Sequence, residues 1–339
     1  MKIYEKPLFF EKNRVYRVYT GGKLLGSFVN DGSADGFYPE EWIASSVQAL
    51  PVAGEPEKAG VSIIEGTDKF LDDLIKEFPK EILGDKKKMG ILVKYLDSAI
   101  RLPVQAHPDK AFSRKYFNSE HGKEESWIVL DKREGGCIYF GFKDGVTKEL
   151  FSKAIEESKN DKYAMEKLLV RHDVEPGDVI LVPAKAVHAI GAGCLILEVQ
   201  EPTDFTIQPE YWCGETALTY NDMYIGLDKE TALNCFSFEP INQVKITPLC
   251  IMDGEKVKIE EVIGKKQSKN FNINKITLRD GEYILDKSAG IYVITDGSGV
   301  ISGNGFSRNV KKGEYFLLPD FARKNYTIKG EIAIIECFA

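Results

Sequence analysis

The chain has four histidines, and two of them stand near other side chains that can bind a metal ion. Gln105 and His107 lie two residues apart on a predicted strand, so their side chains point to the same face. Glu125 enters the next predicted strand, and His188 begins a third. If these strands are antiparallel neighbours in one barrel, the four side chains meet at its mouth. Two imidazoles, a carboxylate and an amide oxygen suit a divalent transition metal, and the nitrogen ligands favour zinc over magnesium or calcium.

No single residue of this set is a specific signal by itself. The tripeptide that begins at His107 is common in loops, and a lone histidine before an apolar strand, such as His188, is often a core residue. The other two histidines, His121 and His172, are more typical of the surface. The six cysteines form no CxxC pair and none stands beside a histidine, so they are poor nucleophile candidates. The metal hypothesis therefore depends on the convergence of several donors in one barrel.

The elements that must position these donors are mainly short strands, and from residue 179 onward strands and turns make up nearly the whole chain. The predicted strands nearest the donors cover residues 14–19, 91–96, 100–105 and 126–130. Two helical segments interrupt the pattern, because apolar residues recur at helical spacing within about 67–83 and 147–170. The sequence therefore predicts a mainly β fold with helical insertions.

A weak internal repeat relates residues 174–198 to residues 310–336. In each copy a glycine turn precedes an apolar strand that ends at a proline, and a second strand returns later. This pattern predicts two similar β-barrels in tandem. Five residues after the proline stands His188 in the first copy and Lys324 in the second, and a protonated lysine has no lone pair for a metal. We therefore expect the metal only in the first barrel.

Composition excludes several classes of function. A chain of 339 residues predicts about two domains, and its 43% hydrophobic and 29% charged residues are ordinary for a globular protein. With 45 basic and 52 acidic residues, a nucleic-acid-binding surface is not expected. No apolar stretch is long enough to span a membrane, and the N-terminus lacks the pattern of a secretory signal. Scattered cysteines predict reduced thiols and a cytoplasmic location.

The motifs together resemble the type I mannose-6-phosphate isomerases of the cupin superfamily, in particular their short bacterial forms. The resemblance covers most of the chain and is carried by Gln-Ala-His-Pro-Asp at 105–109, Gly-Lys-x-Glu-x-Trp at 122–127, Pro-x4-His-Ala at 183–189, and the stretches 21–24, 39–42 and 198–204. It implies a tandem double cupin of jelly-roll barrels. Residues 1–240 would form the metal-binding cupin domain with the helical insertions, and residues 241–339 a cupin-like barrel without metal ligands.

The resemblance also implies an activity. The family isomerises mannose 6-phosphate and fructose 6-phosphate through a cis-enediol and binds one zinc ion per chain. Matched by motif, the zinc ligands are Gln105, His107, Glu125 and His188, and Lys123 matches a lysine that lines the site. The implied partner is a small sugar phosphate of carbohydrate metabolism, with no nucleic acid and no membrane. The resemblance leaves the oligomeric state open.

Two departures from the family pattern concern the catalytic and phosphate-binding groups. Gln208 stands where the family has a catalytic arginine, so a permanent charge and a bidentate donor are lost. Pro103 stands where a serine is frequent and offers no hydroxyl. Lys185, three residues before His188, is a further candidate for facing the substrate.

These departures keep two alternatives open. One is a degenerate isomerase that binds zinc and a sugar or sugar phosphate without turnover. The other is a different metal cupin enzyme, such as an iron or manganese oxygenase. The carboxylate and amide in the donor set, and the match beyond the donors, favour the isomerase over the oxygenase.

Overall fold

Strands dominate the chain, which a computed structural model describes over all 339 residues. The strands are β1 Arg14–Val15, β2 Glu40–Ile43, β3 Leu92–Ser98, β4 Glu125–Lys132, β5 Cys137–Phe142, β6 Leu169–Asp173, β7 Val179–Val182, β8 His188–Ile190, β9 Cys194–Gln200, β10 Trp212–Cys213, β11 Thr216–Ala217, β12 Leu249–Asp253, β13 Val257–Ile263, β14 Asn272–Ile284, β15 Gly290–Gly303, β16 Phe306–Lys311, β17 Tyr315–Leu318 and β18 Thr327–Phe338. The α-helices are α1 Lys23–Val29, α2 Leu71–Glu77, α3 Pro79–Leu83, α4 Lys110–Phe117, α5 Lys148–Glu157, α6 Tyr220–Tyr224 and α7 Lys229–Leu233. Short 3-10 helices occupy Ile3–Glu5, Glu166–Leu168 and Asp320–Ala322.

Two antiparallel sheets form the first barrel. A six-stranded sheet has the order β1-β2-β3-β9-β4-β7, and a three-stranded sheet has the order β6-β5-β8. Apolar side chains of both sheets, such as Trp127 and Ile196 from the first and Phe140 and Ile190 from the second, belong to one core of 33 buried residues. The mainly β, double-barrel prediction is confirmed.

The second barrel is a seven-stranded antiparallel sheet with the order β12-β13-β14-β18-β15-β16, in which β17 also pairs with β15. Its strands are long, and a core of 15 buried residues fills its interior. Every strand of the six- and three-stranded sheets precedes β10, and every strand of this sheet follows residue 240. This separation supports the division into domains 1–240 and 241–339, which we retain as a proposal.

The structure corrects four details of the predicted elements. Residues 100–105 form no regular strand, because Pro103 has no backbone N–H to donate, and Gln105 makes only an isolated bridge. The helix predicted for 147–170 is only α5, since the apolar Leu168 and Leu169 belong to a 3-10 helix and to β6. The segment 14–19 pairs only at β1, and α1, which the glycines before it concealed, was not predicted.

The helical insertion before β3 consists of two short helices, α2 and α3, which meet at Phe78. Helix α2 ends at Phe78, and α3 begins with Pro79 at its first position, where a missing N–H costs nothing. The break at Pro79 therefore matches the predicted segment 67–83. None of the seven α-helices has the length and apolar character needed to cross a lipid bilayer.

A core of 30 buried residues joins the N-terminal segment to both barrels. It includes Leu8 from the N-terminal segment, Val93 and Leu197 from the first barrel, and Ile291 and Ile335 from the second. The N-terminal segment is also tied to β17 by a pair of backbone hydrogen bonds of 2.8 and 2.9 Å between residues 8 and 317. The two barrels therefore share apolar packing and do not simply lie side by side.

We expect Leu8→Ala to lower the free energy of unfolding by about 2–5 kcal/mol, because the side chain is only 1% exposed and its removal leaves a cavity in this shared core. Urea unfolding measures the change. Leu249→Ala is the matched control, since Leu249 is 56% exposed and should cost within about 0.5 kcal/mol. Equal effects of the two substitutions would contradict the packing role of Leu8.

Candidate metal centre

Three of the four predicted ligands meet in the first barrel. Ligand atoms of His107, Glu125 and His188 all lie within 4.8 Å of one another, and all three residues are buried. His107 Nε2 lies 2.9 Å from Glu125 Oε1, and His188 Nε2 lies 3.9 Å from Glu125 Oε2. We call these three residues the triad. No other group of three or more histidine, cysteine, aspartate or glutamate side chains in the chain has this spacing.

Different elements bring the triad together. Glu125 begins β4 in the six-stranded sheet, whereas His188 begins β8 in the three-stranded sheet. His107 lies in the irregular segment before α4. The fourth predicted ligand, Gln105, is fixed next to His188 by two backbone hydrogen bonds of 2.9 Å. Gln105, His107 and Glu125 line one cavity of about 350 Å³, so Gln105 lies on the same cavity as two members of the triad.

Backbone carbonyls set the orientation of both imidazoles. His107 Nδ1 donates to Phe205 O at 3.0 Å, and His188 Nδ1 donates to Ala186 O at 2.9 Å. A proton held on Nδ1 leaves the lone pair of Nε2 for a metal. His188 Nε2 is buried and has no hydrogen-bond partner, which is costly unless something else binds it. The donor set therefore fits a divalent metal ion.

Burial also favours the neutral imidazoles that metal binding requires. Desolvation lowers the pKa of His107 to about 3, against the opposing effect of Glu125. Desolvation lowers the pKa of His188 as well. Both rings are therefore unprotonated at neutral pH even without an ion.

The other predicted site residues divide into two groups. The Lys123 ammonium is buried in the cavity wall, 3.3 Å from Glu125 Oε1 and 3.1 Å from Thr206 Oγ1. Gln208 also lines the cavity, and its Nε2 donates to Asp222 O at 3.1 Å. Pro103 is part of the wall too. Lys185 does not line the cavity, and its contribution is a backbone N–H that donates to His107 O at 2.7 Å.

The cavity wall contains further charged residues to which the sequence reasoning gave no role. Five side chains of alternating charge are neighbours in space along the wall, and we call them the charge row. In spatial order they are Asp204, Arg17, Glu40, Lys94 and Glu198. The charged atoms of successive members lie 3.2, 3.0, 3.8 and 3.4 Å apart. All five residues line the cavity.

Two members of the charge row, Lys94 and Glu198, could have been singled out from the sequence. Lys94 and Glu198 are single charges within apolar runs, on β3 and β9, and a charge in a buried strand usually has a specific partner. These two strands are neighbours, with Lys94 opposite Glu198. Arg17 lies in a segment without such a pattern, and nothing in the sequence singles it out.

The two carboxylates that flank Lys94 differ in their electrostatic environment. Burial opposes ionisation of Glu40, but Arg17 and Lys94 hold its pKa below the usual range. Burial raises the pKa of Glu198 well above the usual range, and the nearby Glu125 carboxylate adds to the effect. Glu198 Oε1 is buried without a hydrogen-bond partner. Glu198 is thus a carboxyl group with an uncommitted oxygen inside the cavity.

Fold and site together define a double-barrel protein of cupin type with a candidate metal centre in one barrel. Residues 265–339 match the family described as the cupin domain of mannose-6-phosphate isomerase. A probable mannose-6-phosphate isomerase of Bacillus subtilis is 28% identical over 341 residues, which cover 96% of each chain. A mannose-6-phosphate isomerase of Streptococcus mutans is 32% identical over 206 residues, which cover 59% of each chain.

The crystal structure of the mannose 6-phosphate isomerase from Bacillus subtilis has the same fold, with a TM-score of 0.75 at 23% identity over 98% of this chain and 99% of that one. The chain is therefore similar in sequence to mannose-6-phosphate isomerases and has the cupin fold of the solved one. This confirms the resemblance found in the sequence.

Proposed function

We propose that the protein is a cytoplasmic, zinc-dependent aldose–ketose isomerase that interconverts mannose 6-phosphate and fructose 6-phosphate. The observation that carries the proposal is the buried triad, in which His188 Nε2 has no hydrogen-bond partner. The adjacent cavity is lined by His107 and Glu125 of the triad and by Glu198, whose Oε1 also has no hydrogen-bond partner. We propose mannose 6-phosphate as the substrate because the similar proteins are named mannose-6-phosphate isomerases.

One zinc ion per chain would be held by His107, Glu125 and His188, with Gln105 as the fourth ligand. Two imidazoles, a carboxylate and an amide oxygen suit zinc. When bound, zinc acts as a Lewis acid that polarises the oxygens at the reacting carbons of the sugar. The remaining chemistry belongs to the side chains around it.

Isomerisation moves a proton between C2 and C1 of the sugar through a cis-enediol, and this transfer needs a base that faces the substrate. Glu198 Oε1 meets this requirement, because it lies in the cavity wall and accepts no hydrogen bond. Its other oxygen lies 3.4 Å from Lys94 Nζ, which holds the carboxyl group in place. In the proposed reaction the ionised form of Glu198 takes the proton from one carbon and returns it to the other. Its pKa, which burial and Glu125 raise, makes that carboxylate a stronger base than an exposed one.

Charge that develops on the enediol oxygens needs nearby donors. The Lys123 ammonium is buried and already turned toward the triad. The Gln208 amide supplies a neutral donor where the family has arginine, and one of its N–H groups is committed to Asp222 O. We therefore assign Lys123 the stabilisation of the oxyanion and Gln208 a weaker supporting role.

A coupled assay with the zinc-loaded protein tests the proposal. We expect conversion of mannose 6-phosphate to fructose 6-phosphate, loss of activity on chelation, and recovery when zinc is returned. A Gln208→Arg variant should be measured beside the wild type. Bound zinc with a silent wild type and an active Gln208→Arg variant would contradict turnover and favour a degenerate binding protein. Iron as the native metal would instead point to a different metal cupin enzyme.

A further inference from the structure

Residues 122–124, which carry Lys123 and lead into Glu125, belong to no strand, because β4 begins only at Glu125. Lys123 and Glu125 both line the cavity, so their placement depends on an irregular segment. Gly122 and Lys123 are buried. The backbone N–H and C=O groups of a buried segment need partners, and here a sheet does not supply them.

The Glu201 carboxylate takes the place of a strand partner. Glu201 directly follows β9 and is 3% exposed. Its Oε1 accepts from Gly122 N and its Oε2 from Glu124 N, each at 3.3 Å. Glu201 N in turn donates to Glu124 O at 3.0 Å. One carboxylate thus fixes the backbone on both sides of Lys123.

Two further backbone groups of the segment are bonded as well. Lys123 N donates to Pro108 O at 3.0 Å, and Thr203 Oγ1 donates to Gly122 O at 2.8 Å. A Cβ at residue 122 would lie 2.8 Å from Pro108 O and 3.1 Å from Glu201 Oε2, so the close approach requires glycine. Because Pro108 directly follows His107, these contacts tie two ligand-bearing segments together.

The second barrel reaches the same network. Lys110 Nζ lies 3.3 Å from Glu201 Oε1 and donates to Asn270 Oδ1 at 2.5 Å. Ser268, which is 3% exposed, donates its hydroxyl to Glu124 Oε1. Ser268 and Asn270 lie just before β14, in the barrel that has no metal ligands. That barrel therefore holds the residue that lies between the two cavity residues.

We propose that Glu201 is a positioning residue for the metal centre, and that the second barrel takes part through Ser268 and Asn270. Glu201 does not line the cavity, so it acts only through the placement of Lys123 and Glu125. Groups that orient metal ligands commonly change metal affinity about tenfold to hundredfold. The effect on turnover rests on the isomerase activity proposed above.

Glu201→Gln tests the proposal, because it keeps the size of the side chain but turns an NH₂ group toward one of the two backbone N–H groups. We expect the zinc dissociation constant, measured by competition with a chelator, to rise about tenfold to hundredfold. With saturating zinc, kcat for mannose 6-phosphate should also fall by about tenfold to hundredfold. An unchanged zinc affinity would overturn the proposal.

Asp97→Asn is the matched control for a purely structural role. Asp97 is fully buried, accepts from Gly22 N at 2.8 Å and from Leu24 N at 2.7 Å, and lies 3.5 Å from Arg133. It lies outside the cavity wall. Both substitutions should lower the Tm of the metal-free protein, but only Glu201→Gln should weaken zinc binding. Equal weakening in the two variants would overturn the proposal.

Ser268→Ala tests the contribution of the second barrel and remains informative if Glu201→Gln does not fold. It removes one hydrogen bond to Glu124, so we expect zinc binding to weaken by about two- to tenfold. Ser158→Ala is the control, since Ser158 is buried and its hydroxyl donates to Ile155 O at 2.7 Å within the first barrel. Unchanged affinity in Ser268→Ala would overturn the role of the second barrel.

The zinc measurement separates this inference from the proposed function. A wild type that binds zinc but does not isomerise mannose 6-phosphate would contradict the proposed function, and the comparison of zinc affinities would still decide the role of Glu201. A wild type that binds no zinc would overturn both.

Discussion

Replacing His188 by alanine should remove the bound metal and lower kcat/KM for mannose 6-phosphate by about a thousandfold or more. His188 Nε2 has no protein partner, so its role in the fold is small compared with its role as a ligand. The loss leaves His107, Glu125 and the weaker amide ligand Gln105, and this set lacks one of the two nitrogen ligands that favour zinc.

Metal content by mass spectrometry and the coupled isomerase assay measure the two effects together. His172→Ala is the matched control, since His172 lies on β6 outside the cavity and bonds only to a backbone carbonyl. It should keep both zinc and activity. Retention of a full equivalent of zinc by His188→Ala would show that the triad is not the metal site.

Glu198→Gln should lower kcat by about 10²- to 10⁴-fold while the protein keeps its zinc. The amide preserves the size of the side chain and its position beside Lys94 but cannot accept a proton from the sugar. Because Glu198 is not in the triad, metal content separates this loss from the one expected for His188.

The internal repeat provides a matched control for this variant. Glu336 ends the corresponding motif in the second barrel, is fully buried, and has a pKa that burial raises. Its oxygens are already used, because they accept from Asn274 Nδ2 at 2.8 Å and from Tyr283 OH at 3.1 Å. Glu336→Gln should leave turnover unchanged. Comparable activity in the wild type and Glu198→Gln would exclude Glu198 as the base.

The donor identities could be predicted from the sequence because the chain has only four histidines and two of them stand near other possible ligands. The way in which they converge could not. The prediction placed them on three neighbouring strands, whereas Glu125 and His188 come from different sheets and His107 from an irregular segment after Pro103. Packing of the two sheets into a barrel brings these side chains together, whereas the prediction relied on neighbouring strands of one sheet.

The charge row shows a second limit of sequence reasoning. Its members come from five separate segments of the chain, and only antiparallel pairing of β3 with β9 places Lys94 opposite Glu198. Arg17 enters from the N-terminal segment, where its guanidinium lies 5.1 Å from the Trp42 ring centroid. Arg17 and Gln208 line the same cavity although they are far apart in sequence. Inspection of the residues near Gln208 in sequence therefore does not identify Arg17 as a possible replacement for the family arginine.

The hydrogen bonds between residues 8 and 317 also bear on how the chain folds. Leu8 and its partner strand β17 lie far apart in the chain. Contacts of such long sequence separation form slowly and leave apolar surface uncovered in the meantime. Tyr4 and Leu8 therefore remain exposed until the second barrel packs against them. A folding intermediate that lacks β17 exposes this apolar surface and is prone to aggregation.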